Sequence, residues 1–367
     1  MRGWRPQPSL GLEAIASVAV VVLAGCSGAA TQKSPSVTNI APPRTSHVHL
    51  WHPGMTQLGI DLLWYTYASQ SMASIAKDAT TDMNYIVGLG ANSVDIVFPV
   101  YTGNIESNSL SAGSGTPTTT QLAIAVQAAL TAGLRVMLRP LMDQASLLPS
   151  WRGAIEPSNV PAWFTSYEQF LQPYLVMAQA NGVTTFDVGA EFTSLEAEPE
   201  WAQLVSQART VFSGQLAYSA NFDTFHAGDP MPPVDRLGVD YYPPLPLSDT
   251  ATLAQVENAW DAWWETIPTS INLSQVVIDE LGIAAQDGAY QKPFASNLPG
   301  APLNLAIQST WFTAACQTVQ QSHLAGIYFW AVNLGSSLTE ATSPGSFIGR
   351  PGAGAISSCY ASFAGTP

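Results

Sequence analysis

The chain has 367 residues, only 10% of them charged, and a formal net charge of −14 at pH 7. So acidic a chain offers no electrostatic footprint for phosphate backbones and no attraction to anionic lipid, which argues against nucleic acid and loosely adsorbed membrane as partners. Neutral partners carry no such penalty. Arg2 and Arg5 precede an apolar run from Ala14 to Ala24 that closes on Leu23-Ala24-Gly25-Cys26. A charged start, a short apolar stretch and small residues at the cut describe an export signal over residues 1–25. The run is too short to span a bilayer with ordinary flanks.

The "LAGC" ending resembles the bacterial lipobox, which implies lipidation of Cys26 and a cell-surface lipoprotein held to the membrane only by its lipid; plain secretion is the alternative. Residues 26–46 are rich in Ser, Thr and Pro without apolar periodicity and read as a flexible tether. Residues 47–367 suit one large domain, since α/β barrels run to ~250 residues or more. Two cysteines remain, Cys316 and Cys359, either paired in an oxidising compartment or left as two buried thiols.

From there, short apolar or β-branched runs alternate with amphipathic stretches. The strands predicted are Leu58–Trp64, Ser93–Val100, Arg135–Met142, Thr185–Glu191, Gln215–Asn221, Arg236–Tyr242, Val276–Leu281 and Gly326–Val332. The helix before Gly133 has Thr118 as its cap and a stripe of Leu122, Val126, Ala129 and Leu130. The next opens on Pro161 and runs to Gly182, with Pro173 expected to kink or split it. Residues 222–235, with three prolines, read as a loop holding at most a degenerate helix. Eight strand–helix units predict a (β/α)8 TIM barrel of the α/β class, with an open doubly wound sheet as the rival.

Barrel chemistry sits at the C-terminal ends of the strands. Predicted strand three ends in Arg139 and Asp143, four in Glu191, five in Asn221, six in Asp240 and Tyr242, seven in Asp279 and Glu280, and eight in Trp330 and Asn333. Carboxylates closing apolar strands are costly to bury and need a reason. Strict alternation puts Asp279 and Glu280 on opposite sides, so one of them faces the mouth. Asp187 lies deeper and reads as a satisfied core acid.

The segments "FDVGAEFTSL" and "VVIDELGI" resemble the acid/base and nucleophile strands of the clan A glycoside hydrolases. "GANSVDIVFPVY", "GLRVMLRPLMD", "WRGAIEPSN", "AWFTSYEQF", "LAYSANFD", "LGVDYYPPL" and "GIYFWAV" follow, in order, the look of glycoside hydrolase family 113, whose characterised activity is mainly β-mannanase. The resemblance implies a retaining glycosidase of β-linked polysaccharide or oligosaccharide, monomeric and without cofactor. Glu191 would be the general acid/base, protonated at the start, and Glu280 the ionised nucleophile. Tyr242 would hold the nucleophile and Trp330 would be the platform beneath the sugar. Arg139, Asp143, Trp151, Arg152 and Asn221 are candidate subsite contacts, against salt bridges or turn chemistry. Eleven Trp and twelve Tyr suit sugar faces as well as core packing. Two positions depart from the clan pattern: Ala190 stands where many members carry Asn before the acid/base, and Leu141 stands where a His is expected.

Other chemistries fit less well. His47, His49 and His52 form an HxHxxH cluster, but later strands offer no matching ligands. There is no GxSxG elbow, and the glycines from Gly88 precede a strand instead of following one. A non-catalytic carbohydrate-binding barrel, or a two-lobed solute-binding lipoprotein, is the alternative of another class.

Overall fold

The computed structural model describes residues 51–67 and 70–363. The proposed signal, Cys26, the tether, His47 and His49 lie outside the described residues. Eight parallel strands close into a barrel: β1 (Gln57–Leu63), β2 (Ser93–Pro99), β3 (Arg135–Leu141), β4 (Thr185–Ala190), β5 (Gln215–Asn221), β6 (Arg236–Asp240), β7 (Val277–Leu281) and β8 (Gly326–Asn333). Each strand pairs with its sequence neighbours, and β8 closes on β1. A short antiparallel ribbon, Tyr101–Thr102 with Leu110–Ser111, rises after β2. The closed sheet excludes the open doubly wound and two-lobed alternatives.

Helices follow the strands: α1 (Met72–Gly88), α2 (Thr119–Thr131), α3 (Val160–Ala180), α4 (Glu200–Arg209), α5 (Phe222–Ala227), α6 (Leu253–Trp264), α7 (Leu305–Gln321) and α8 (Pro351–Ser362). Thr118 and Gln121 form a reciprocal capping box at the start of α2. Pro173 does not split α3, which is continuous over 21 residues. Pro173 and Gln169, whose carbonyl loses its partner, both sit on the exposed side, where water can replace the missing bond. The predicted degenerate helix is α5, begun by the Asn221 side chain, which accepts from the Asp223 amide, and ended by Gly228 at φ 71°. Cys316 on α7 and Cys359 on α8 are joined in a disulfide with 5.5 Å between their Cα atoms.

The apolar core lies between strands and helices, whereas the barrel interior is unusually polar. At its base Arg135 donates to Tyr328 and Gln215, each at 3.2 Å. Midway, Arg236 pairs with Asp279 at 2.6 Å, and the Ser219 hydroxyl lies within hydrogen-bond reach of both Asp279 and Asp187, with one proton to give to either. A Cβ on Gly238 would lie 1.6 Å from Asp279 Oδ2, so only glycine leaves room for that carboxylate. Toward the mouth Arg139 gathers Asp61, Asp95 and Asp240 at 3.3, 2.7 and 3.1 Å.

Candidate active site

Glu191 leaves the end of β4 with φ 52°. That left-handed conformation costs a non-glycine residue about 1–3 kcal/mol and persists only where its surroundings over-determine it. Here they do. The Glu191 amide donates to the Ser219 carbonyl at 2.8 Å, and the Phe192 amide to the Tyr218 hydroxyl at 2.9 Å. The carboxyl, 5% exposed, accepts from Asn221 Nδ2 at 2.7 Å and from Arg152. Arg152 also lies 3.6 Å from Asp143 and sits against the Trp151 ring. Asp143 and Trp151 are part-exposed at the rim, joined to Glu191 through that guanidinium.

Glu280, near the end of β7, is 6% exposed. It accepts from the Tyr242 hydroxyl at 2.7 Å, and Arg139 lies 3.5 Å away. Trp330 is half-buried over an apolar cluster of Leu63, Val97, Leu141 and Ala190, and its peptide to Ala331 is cis. The departures from the clan pattern, Leu141 and Ala190, therefore pack together in one apolar patch. Gly282 brings Tyr242 and Trp330 together: a Cβ there would lie 3.3 Å from the Tyr242 hydroxyl and 3.4 Å from Trp330 Cβ.

Electrostatics acts on Glu191 through burial and two neighbouring charges. Burial pushes Glu191 up to about 6; the Arg152 charge opposes that shift and the Glu280 charge adds to it. The two carboxylates are thus close enough to influence one another. Beneath them, burial drives Asp61 and Asp240 well above the usual carboxylate range and Asp95 to about 7, against the pull of Arg139.

Two expectations need correction. Arg139 is not a subsite contact. It is fully buried and forms the charged floor beneath Glu280. Strict alternation also fails at Asp279 and Glu280, because the pairing of β6 with β7 shifts between Val239 and Asp240, opposite Ile278 and Glu280. The extra residue turns both acids inward, at different depths: Asp279 meets Ser219 and Arg236, while Glu280 meets Tyr242.

Asp61 and Asp95 were not singled out from the sequence, although each is a lone acid inside an apolar strand. Glu196, buried behind Glu191, was also missed, and a loop position gave no signal for it. His52 is exposed ahead of β1, and among the described residues no three His, Cys, Asp or Glu side chains are grouped to hold a metal.

A mouth with two inward glutamates on facing strands can place a proton and a nucleophile on one bond. The chain matches the model of glycoside hydrolase family 113 over residues 63–343. Among solved structures it is similar to a GH113 β-1,4-mannanase, with 19% identity, a TM-score of 0.71 and coverage of 84% of this chain and 99% of that one. It is also similar to the GH113 β-mannanase AaManA from Alicyclobacillus acidocaldarius in complex with ManMIm (18% identity, TM-score 0.70, coverage 84% and 98%). A GH5_18 structure from Streptomyces cattleya in complex with GlcNAc follows at 12% identity and a TM-score of 0.54, covering 85% of this chain and 82% of that one. A comparison with curated protein sequences returns no match.

Proposed function

The chain belongs to glycoside hydrolase family 113, and on that premise we propose that it hydrolyses a β-1,4-mannan-type chain with retention, using Glu191 as acid/base and Glu280 as nucleophile. The observation that carries this reading is the unequal treatment of two carboxyls in one mouth. Glu191 is pushed up to about 6, so it can carry a proton in mildly acidic solution. Glu280 is held from one side by the Tyr242 hydroxyl and from beneath by Arg139.

In the first step a Glu280 oxygen attacks the anomeric carbon. The bond to the leaving oxygen breaks, and the Glu191 proton passes to that oxygen. In the second step Glu191, now a carboxylate, takes a proton from water. The water oxygen displaces Glu280 and restores the original configuration. Trp330 would support the sugar at the cut, and Asp143, Trp151 and Arg152 would meet the sugars across the rim. Asn221 would orient Glu191 through the bond it already makes. The substrate follows from the two mannanases that the fold resembles.

The test is turnover of a panel of β-mannan, β-glucan and cell-envelope glycans, with NMR of the first-formed anomer. Release of the β-anomer from mannan, lost by a factor on the order of 10⁴ or more in Glu191→Gln and Glu280→Gln, is expected. Glycan binding without turnover in the parent would favour a barrel that only binds. For the leader, the proposal is a lipid anchor on Cys26, a tether over 26–46 and a catalytic domain over 47–367. Cys26→Ser should move the enzyme from the membrane fraction to the medium.

A further inference from the structure

We propose that Glu196, acting through the Tyr218 hydroxyl, is a positioning residue for the acid/base because it fixes the peptide that follows Glu191. The inference rests on Glu191 being that acid/base. A hydroxyl has one proton, and its two partners here are not interchangeable. The Phe192 amide can only donate, and does so to Tyr218 Oη at 2.9 Å. The Tyr218 proton must therefore go elsewhere, and it goes to Glu196 Oε1 at 3.1 Å. Tyr218 and Phe192 have no exposed surface and Glu196 has 3%, so water cannot stand in for either bond.

The peptide held this way is the one that a left-handed residue stresses. With its amide tied to the Ser219 carbonyl, Glu191 at φ 52° would relax by rotating about its N–Cα bond, which would swing the Glu191 side chain and carry the Phe192 amide away from Tyr218. Packing restricts Tyr218 as well: its ring lies edge-on to Trp201 with centroids 5.4 Å apart, and a Cβ on Gly189 would lie 3.1 Å from its ring. The hydroxyl is therefore delivered to one point, and Glu196 orients its proton.

Among the described residues, the groups that act most on Glu196 include no cation. They are Tyr218 on β5, Thr224 and Asp223 on α5, and Glu191 itself. Burial pushes Glu196 up to about 8. It is thus a neutral acid over the range in which Glu191 loses its proton, and glutamine is its close mimic.

The experiment compares kcat/KM, which reports the glycosylation half-reaction, on a mannan oligosaccharide and on a 2,4-dinitrophenyl β-mannobioside. The oligosaccharide needs its leaving group protonated; dinitrophenolate does not. Tyr218→Phe and Glu196→Ala should lose about tenfold or more on the oligosaccharide and less than about threefold on the dinitrophenyl substrate. Glu196→Gln should stay within about threefold of the parent on both. A purely structural role would depress both substrates alike, and that result, or no loss on either, overturns the inference. If Glu196→Ala fails to fold, Tyr218→Phe, which deletes a single hydroxyl, carries the test. Glu191→Ala separates the two readings: if it shows no dependence on leaving group, the assignment of the acid/base has failed. If it shows the dependence and Tyr218→Phe does not, only the positioning role has failed.

Discussion

Removing the Arg152 charge should move the alkaline limb of the activity profile upward. Burial raises Glu191 to about 6, and Arg152 is the strongest influence in the opposite direction. The guanidinium is 8% exposed and the carboxyl 6%, so solvent screens the pair weakly. Two unit charges ~4 Å apart interact by about 4 kcal/mol at an effective dielectric of about 20. At about 1.4 kcal/mol per unit, that sets a ceiling near three pH units. Water entering the vacated space would ease the burial of Glu191 and reduce the shift, while the Asp143 charge, 3.6 Å from the same guanidinium, would be left uncompensated and add to it. We expect a shift of about one to three units in Arg152→Met. The sign is fixed by the role proposed for Glu191: an acid must be protonated, so activity falls as pH rises through its pKa and falls later once the cation is gone. The assay is kcat/KM between pH 4 and 9, normalised to each enzyme's maximum, because Arg152 would also touch substrate. A limb that stays in place or moves down would refute the ion-pair reasoning.

Tyr242→Phe deletes the donor at 2.7 Å from Glu280. A hydrogen bond to a charged group contributes about 1.5–3 kcal/mol, so kcat should fall about tenfold to a hundredfold with KM little changed. Gly238→Ala would force Asp279 from its ion pair with Arg236. Breaking a buried pair costs about 3–5 kcal/mol, and a thermal melt should show a loss of roughly 6 °C or more. Cys316→Ser with Cys359→Ser opens a crosslink between positions 43 residues apart. Denaturant unfolding should show about 2–4 kcal/mol less stability, with kcat unchanged, because α7 and α8 lie outside the barrel.

The strands were legible because each is a short apolar run between turn signals, and predicted limits fall within two residues of those observed. Glu191 and Glu280 stood out because a carboxylate ending an apolar strand is expensive without a purpose. The floor was hidden for the opposite reason. Asp61 and Asp95 sit in the middle of their strands, and only closure of the barrel brings them to one guanidinium from β3. The placement of Asp279 depended on a register shift against β6, which no pattern within β7 announces. Arg152 could be read as a polar rim residue, but its pairing with Glu191 at the end of the neighbouring strand could not, since loop geometry sets that contact.

The floor has a consequence for the chemistry. Arg139 alone beneath Glu280 would put a full positive charge under a transition state that is itself cation-like at the anomeric carbon. Asp61, Asp95 and Asp240 surround the guanidinium, and each one that ionises offsets its charge, so Arg139 can hold the carboxylate with less opposition to the reaction. All three aspartates cannot ionise freely in a dry interior, and burial accordingly pushes Asp95 up to about 7. Asp95 therefore contributes its charge only above that pH, and Asp95→Asn should be nearly silent below it. The variant-to-parent ratio of kcat should lie near one at about pH 5 and fall by about threefold to tenfold toward pH 8. A ratio independent of pH in a folded variant would mean that Asp95 holds Arg139 by shape alone, and that the charge balance of the floor does not reach the sugar.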